Sequence, residues 1–193
     1  MYLFFDTSAN GSPKNWKAPS NDAFNWPRML HLSWLLYNEE RELIKSRNDI
    51  IKSTANIPIE IENRHKISPA ISEDEGISIK EALLPFKEVV KDAQYIISHN
   101  LTFNKGVVGA EFYRAGIDHA LEYSNNYCLM QEATWFCKLK GKGGRMKWPS
   151  LTDIHIKLYQ AGFENPGQAE ADVAVTALAF FNLLDLQAIE IFE

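Results

Sequence analysis

Cysteine is scarce. Cys128 and Cys137 are the only two in 193 residues, too few for a disulfide framework or a zinc quartet. No apolar run approaches the roughly 20 residues of a membrane span. The first residues also lack a basic stretch followed by an apolar run and a small-residue cleavage site. No signal peptide and no membrane partner are therefore expected, and the expected location is cytoplasmic. Bases are in the minority: 20 Lys and Arg face 25 Asp and Glu, a formal net charge of −5. That balance argues against a strongly basic nucleic-acid binder, but not against an enzyme working on nucleic acid, where local charge decides. Repeats, low-complexity tracts and linkers are absent too. With 46% hydrophobic residues, the chain is expected to form one domain over residues 1–193 with a substantial core.

What is present centres on residues 2–11, YLFFDTSANG. Four apolar or aromatic residues run into Asp6 and then into small turn-forming residues, the pattern of a buried strand. Asp6 is placed where that strand leaves the sheet, the end at which open α/β sheets bind ligands. A carboxylate there is either a satisfied strand-end residue or a metal ligand. Residues 9–28 contain Pro13, Pro19 and Pro27 and are predicted to be irregular. Lys14, Trp16, Lys17, Trp26 and Arg28 lie within them. That interleaving of bases and rings suits stacking on nucleobases. The simpler reading has both tryptophans pinning a long loop to the core.

Residues 29–37 (MLHLSWLLY) and 41–51 (RELIKSRNDII) are predicted as a hairpin around Asn38-Glu39-Glu40. Residues 58–67 are predicted to be irregular, with room for a short extended piece. Over 72–91 the apolar spacing becomes helical behind the acidic start Glu73-Asp74-Glu75, and Pro85 is expected to kink or break the helix. YIIS at 95–98 is a compact strand, and 103–115 a helix stopped by Gly116. Residues 127–138 are ambiguous between strand and helix. Residues 138–147 (KLKGKGGRMK) form the one basic patch, either a phosphate-contacting arm or a solvated loop. Ser150 with Asp153 forms a near capping box for a helix over 151–160. The helix over 167–186 is apolar nearly all round, as expected for packing on more than one side.

Three of these stretches line up in order: FFDTSANG, SHNLTFNKGVVGAEFYRAG and NPGQAEADVAVTAL. Together they resemble the histidine variety of the DEDD-type 3′–5′ exonucleases of the proofreading family, whose motifs read F-D-T-E-T-T-G, H-N-x-x-F-D and H-x-A-x-x-D. The stretch GSPKNWKAPSNDAFNWPR also looks like a loop found in one subgroup. The resemblance implies a ribonuclease-H-like α/β domain: a mixed sheet of about five strands, helices on both faces, and an antiparallel part formed by residues 1–51. It also implies a cleft for the 3′ end of single-stranded DNA or RNA, with Mg²⁺ or Mn²⁺ as cofactor. In that chemistry two divalent ions about 4 Å apart activate a water and stabilise the leaving oxygen. Hard ions want carboxylate oxygen, and a histidine takes the water's proton.

This chain departs from the pattern at the reacting groups. Asp6 and Asp172 match two of the acids and are the metal ligands the resemblance implies. Ser8 stands where the family has glutamate, Asn104 where it has aspartate, and Gly167 where it has histidine. Phe5, Thr7, Gly11, His99, Asn100, Phe103 and Ala169 keep the surrounding pattern. Thr7, His99, Asn100 and Phe103, with Lys140, Lys142 and Arg145 of the basic loop, are the expected nucleic-acid contacts. Neither Ser8 nor Asn104 brings a negative charge, and glycine accepts no proton. Metal binding is therefore expected to be weak and hydrolysis impaired. Two alternatives stand beside this reading: an active metal-dependent exonuclease with a rebuilt site, and a protein-interaction module on an inherited fold. His155 is expected to lie away from the site, and His31, His65 and His119 have no motif context.

Overall fold

The computed structural model describes residues 1–119, 121 and 125–191. Five strands form one mixed sheet: β1 (Tyr2–Ala9), β2 (Met29–Tyr37), β3 (Leu43–Ile50), β4 (Tyr95–Ser98) and β5 (Asn125–Cys128), in spatial order β3-β2-β1-β4-β5. β1, β2 and β3 pair antiparallel, whereas β4 lies parallel to β1 and β5 parallel to β4. The expected hairpin is present within residues 29–51, and the expected division into antiparallel and parallel parts holds.

Period-two alternation along β1 splits its side chains between two cores. Leu3 and Phe5 pack with Leu83 and Phe86 of α3 (Ile79–Asp92) and with Val107, Val108 and Phe112 of α4 (Leu101–Ala115). Phe4 faces the other way, onto Val173, Ala177 and Phe180 of α8 (Ala169–Asp185) and Leu151 and Ile154 of α7 (Leu151–Tyr159). Alternation then puts Asp6 and Ser8 on the α8 side. The parallel pairing of β1 with β4 stops at Phe4 opposite Ile97, while β1 stays paired with β2 as far as Ala9. Asp6 thus sits just past the point where β4 ends.

Several local expectations need correction. Residues 58–67 are not irregular or extended: Ile59–His65 forms α1, with Glu60 and Glu62 in its first turn, Arg64 and His65 in its last, and Lys66 left-handed at its end. The charges suit the helix dipole. Glu73-Asp74-Glu75 do not open the next helix; Pro69–Asp74 is a separate short α2. α3 begins after Ser78, whose hydroxyl accepts from the Glu81 N–H while the Glu81 carboxylate accepts from the Ser78 N–H. Pro85 lies inside α3, which continues through it. The ambiguous 127–138 segment is the end of β5 followed by two short helices, α5 (Leu129–Glu132) and α6 (Thr134–Cys137). Ser150 and Asp153 form the full capping box of α7.

The long connection over residues 9–28 is irregular as expected, and it is pinned by a buried charge. Glu111 of α4 is 1% exposed. Its carboxylate takes Arg28 at 2.7 Å, Arg114 at 2.8 Å and the Met29 N–H at 3.2 Å. Arg114 donates onward to the carbonyls of Ala23 and Trp26. Trp26 is buried, and its indole N–H meets the Pro19 carbonyl at 3.1 Å. A Cβ on Gly106 would lie 2.2 Å from the Trp26 ring, so only glycine admits the indole here.

Candidate nucleic-acid cleft

The cleft opens beyond the ends of β1 and β4 and encloses about 510 Å³. Asn104 of α4 organises its floor. The Thr7 backbone N–H can only donate, so it fixes the amide oxygen of Asn104, 3.1 Å away, toward Thr7; the Thr7 hydroxyl donates to the same oxygen at 2.6 Å. The amide nitrogen then faces the other way and donates to Asp6 Oδ1 at 2.8 Å and Ser98 Oγ at 2.6 Å. Every hydrogen-bonding position of this buried amide is filled. The position at which the family has an aspartate here presents a donor to Asp6, the reverse of what a metal ligand does. Restoring a carboxylate would set like charges against each other.

Asp172, in the first turn of α8, accepts the Gly167 N–H on both carboxylate oxygens at 3.1 Å. Burial, aided by the charge of Asp172, raises the Asp6 carboxyl well above its usual range, against the pull of Asn104 and Arg64. Burial raises Asp172 to about 6, against the pull of the Gly167 N–H and Arg64. The two retained acids thus share one cleft floor where burial makes both hold their protons more tightly than usual.

Two residues without motif context reach this site. Arg64 and His65, adjacent on α1, both line the cleft. His65 Nδ1 lies 2.5 Å from the Gly167 carbonyl, which can only accept, so the proton is on Nδ1 and Nε2 keeps its lone pair. Burial lowers the His65 pKa, favouring the neutral ring. The Arg64 stem lies across Gly167: a Cβ at 167 would be 3.3 Å from Cγ and 3.4 Å from Nε. Gly167 also has φ +91°, a conformation side chains rarely adopt. Gly167→His, which restores the family's residue, is therefore expected to cost about 1–3 kcal/mol in thermal unfolding and to leave hydrolysis unrestored. An unchanged melting temperature would show that Arg64 and the turn yield freely.

The remaining sequence-derived site residues divide. Thr7, His99, Asn100 and Phe103 line the cleft. Burial holds His99 neutral, with its pKa lowered to about 4. Ser8 is buried at 1% exposure and is not part of the lining; its hydroxyl has no partner among the described residues. Lys140, Lys142 and Arg145 do not line the cleft, although Lys147 of the same loop does. His155, bonded to the Ala161 carbonyl, lies outside the lining as expected.

The two tryptophans of the long loop separate as well. Trp26 pins the loop, while Trp16 is 49% exposed, packs its ring 6.0 Å from Phe103 and rims the cleft. Trp148, 58% exposed, also lines it. Trp148 belongs to none of the three motifs; its place beside Lys147 in the basic stretch is the sequence signal that marks it.

The donor set does not fit a bridged pair of divalent ions. Asp6 and Asp172 are its acids, Asn104 turns donors inward, and Arg64 adds a positive charge. Among the described residues, no group of three or more His, Cys, Asp or Glu side chains is placed to hold a metal ion.

The same fold is found in solved exonucleases that share little sequence with this chain. E. coli exonuclease I, solved with a dT13 oligonucleotide, matches with a TM-score of 0.74 at 16% identity over 94% of this chain. Exonuclease X, solved with 5′-overhanging duplex DNA, matches with a TM-score of 0.65 at 13% identity over 98% of this chain and 95% of its own. This chain spans 40% of the exonuclease I chain. No protein-family model and no curated protein matches the sequence.

Proposed function

We propose that this domain holds the 3′ end of a single DNA or RNA strand in the cleft and hydrolyses it poorly or not at all. The observation that carries the reading is the pairing of an aromatic-rimmed cleft with Asp6 and Asp172 as the only carboxylates among its described lining residues. Trp16 and Trp148 offer faces on which bases stack in any sequence. Lys147 and Arg64 supply positive charge for phosphates. Asp6 and Asp172 are the groups to which Mg²⁺ or Mn²⁺ would bind, weakly, since half of the family's carboxylate charge is gone.

Because Trp148 is exposed, Trp148→Ala should leave stability within about 0.5 kcal/mol of the parent. The same change should weaken single-strand binding by about 1–3 kcal/mol. Fluorescence titration with a labelled oligonucleotide checks this. Full-strength binding by the variant would remove the stacking role, and no binding by the parent would sink the reading itself.

His65 favours one second reading, a rebuilt and active site. A neutral imidazole in the same cleft as Asp172, with Nε2 unprotonated, has the form of a general base. Loss of a measurable nuclease activity in His65→Gln would support it.

A further inference from the structure

Of the family positions that differ, Gly167 is bound up with Arg64. Its side chain passes over Gly167 at the place where a Cβ would begin. It lines the same cleft as Asp6 and Asp172. Among the described residues no carboxylate pairs directly with it, and it remains exposed to solvent. A guanidinium so placed has its fork of donors available to an incoming anion. Asn104 adds a donor to Asp6 from the other side. Glycine at 167 gives the arginine its passage, and its N–H caps Asp172.

We propose that Arg64 is the cleft's resident cation, standing in for divalent metal beside Asp6 and Asp172, and that it lets the cleft grip a nucleic-acid phosphate without metal. The part about phosphate rests on the nucleic-acid reading above; the part about metal does not. The phosphate belongs to the strand end, since the stacking rings and Lys147 lie in the same cleft. Arg64 holds and orients the phosphate and takes no part in bond breaking.

Two measurements on the full chain test the proposal. In thermal unfolding at pH 8, the parent should melt at nearly the same temperature in EDTA and in millimolar Mn²⁺, since its metal binding is weak. Arg64→Gln should melt lower in EDTA and regain stability in Mn²⁺, because the carboxylates then lack their cation. Arg64→Lys, which keeps the charge, should behave like the parent toward Mn²⁺. In oligonucleotide titrations, parent binding should be unchanged by EDTA and should fall about tenfold in Arg64→Gln, the loss of one charge-assisted contact. Stabilisation of the parent by Mn²⁺ equal to that of Arg64→Gln overturns the proposal, as does strand binding by the parent that EDTA abolishes. If the parent binds no oligonucleotide, the nucleic-acid reading fails, and the Mn²⁺ comparison still decides whether Arg64 occupies the metal's place.

Discussion

Glu111→Ala is expected to lower stability by about 3 kcal/mol, at the low end for breaking a buried ion pair by removing one partner. The low end applies because Arg28 is 44% exposed and regains water, whereas Arg114 is 18% exposed and is left with little besides backbone carbonyls. The consequence extends beyond stability. Glu111 also accepts the Met29 N–H at the start of β2, and Arg114 holds the carbonyls of Ala23 and Trp26. Without the carboxylate the 9–28 connection loses its anchor, and Trp16 at the cleft rim loses its support. Hydrogen exchange should therefore quicken over residues 9–28 before it does in β1, together with a drop in thermal stability. A loss below about 1 kcal/mol would mean that the cluster is held mainly by packing.

The second large effect comes from removing a charge. Asp172→Asn is expected to raise stability at pH 8 in EDTA by up to about 3 kcal/mol, from a carboxyl raised from 3.8 to about 6. A raised acid binds its proton more tightly folded than unfolded. Its stabilising effect is complete below about pH 4 and is lost as pH rises through about 6. Above that window the native state bears an ionised, desolvated carboxylate, and the amide relieves it. The difference between parent and variant should therefore vanish near pH 4 and open between pH 4 and pH 7. A gain of the same size at pH 4 would trace the effect to packing rather than to charge.

How far the sequence reveals this molecule varies from element to element. β1, β4 and α4 announce themselves through compact apolar runs and the left-handed Gly116 that stops α4. Ser150 with Asp153 is readable because a capping box is a local device. Helix α1 is hidden: IEIENRH alternates like a strand, and none of its residues is buried, so no helical stripe forms. Because α1 carries Arg64 and His65, half of the site stays hidden with it. Their link to Gly167 spans 102 residues, and nothing local marks it. The orientation of Asn104 is likewise a tertiary fact, set by the Thr7 N–H across 97 residues. Asp6, Asn104 and Asp172, drawn from three separate motifs, do line one cleft, but the motifs say nothing of the cation brought in from α1.

The most direct test of a cleft that binds but scarcely cuts is digestion of a 3′-labelled single strand in Mn²⁺, with parent and Asp6→Ala side by side. Equal, background-level product from both proteins is expected, since two carboxylates facing Arg64 cannot sustain a bridged metal pair. Rapid shortening by the parent that disappears in Asp6→Ala would contradict this and make the cleft a working exonuclease site.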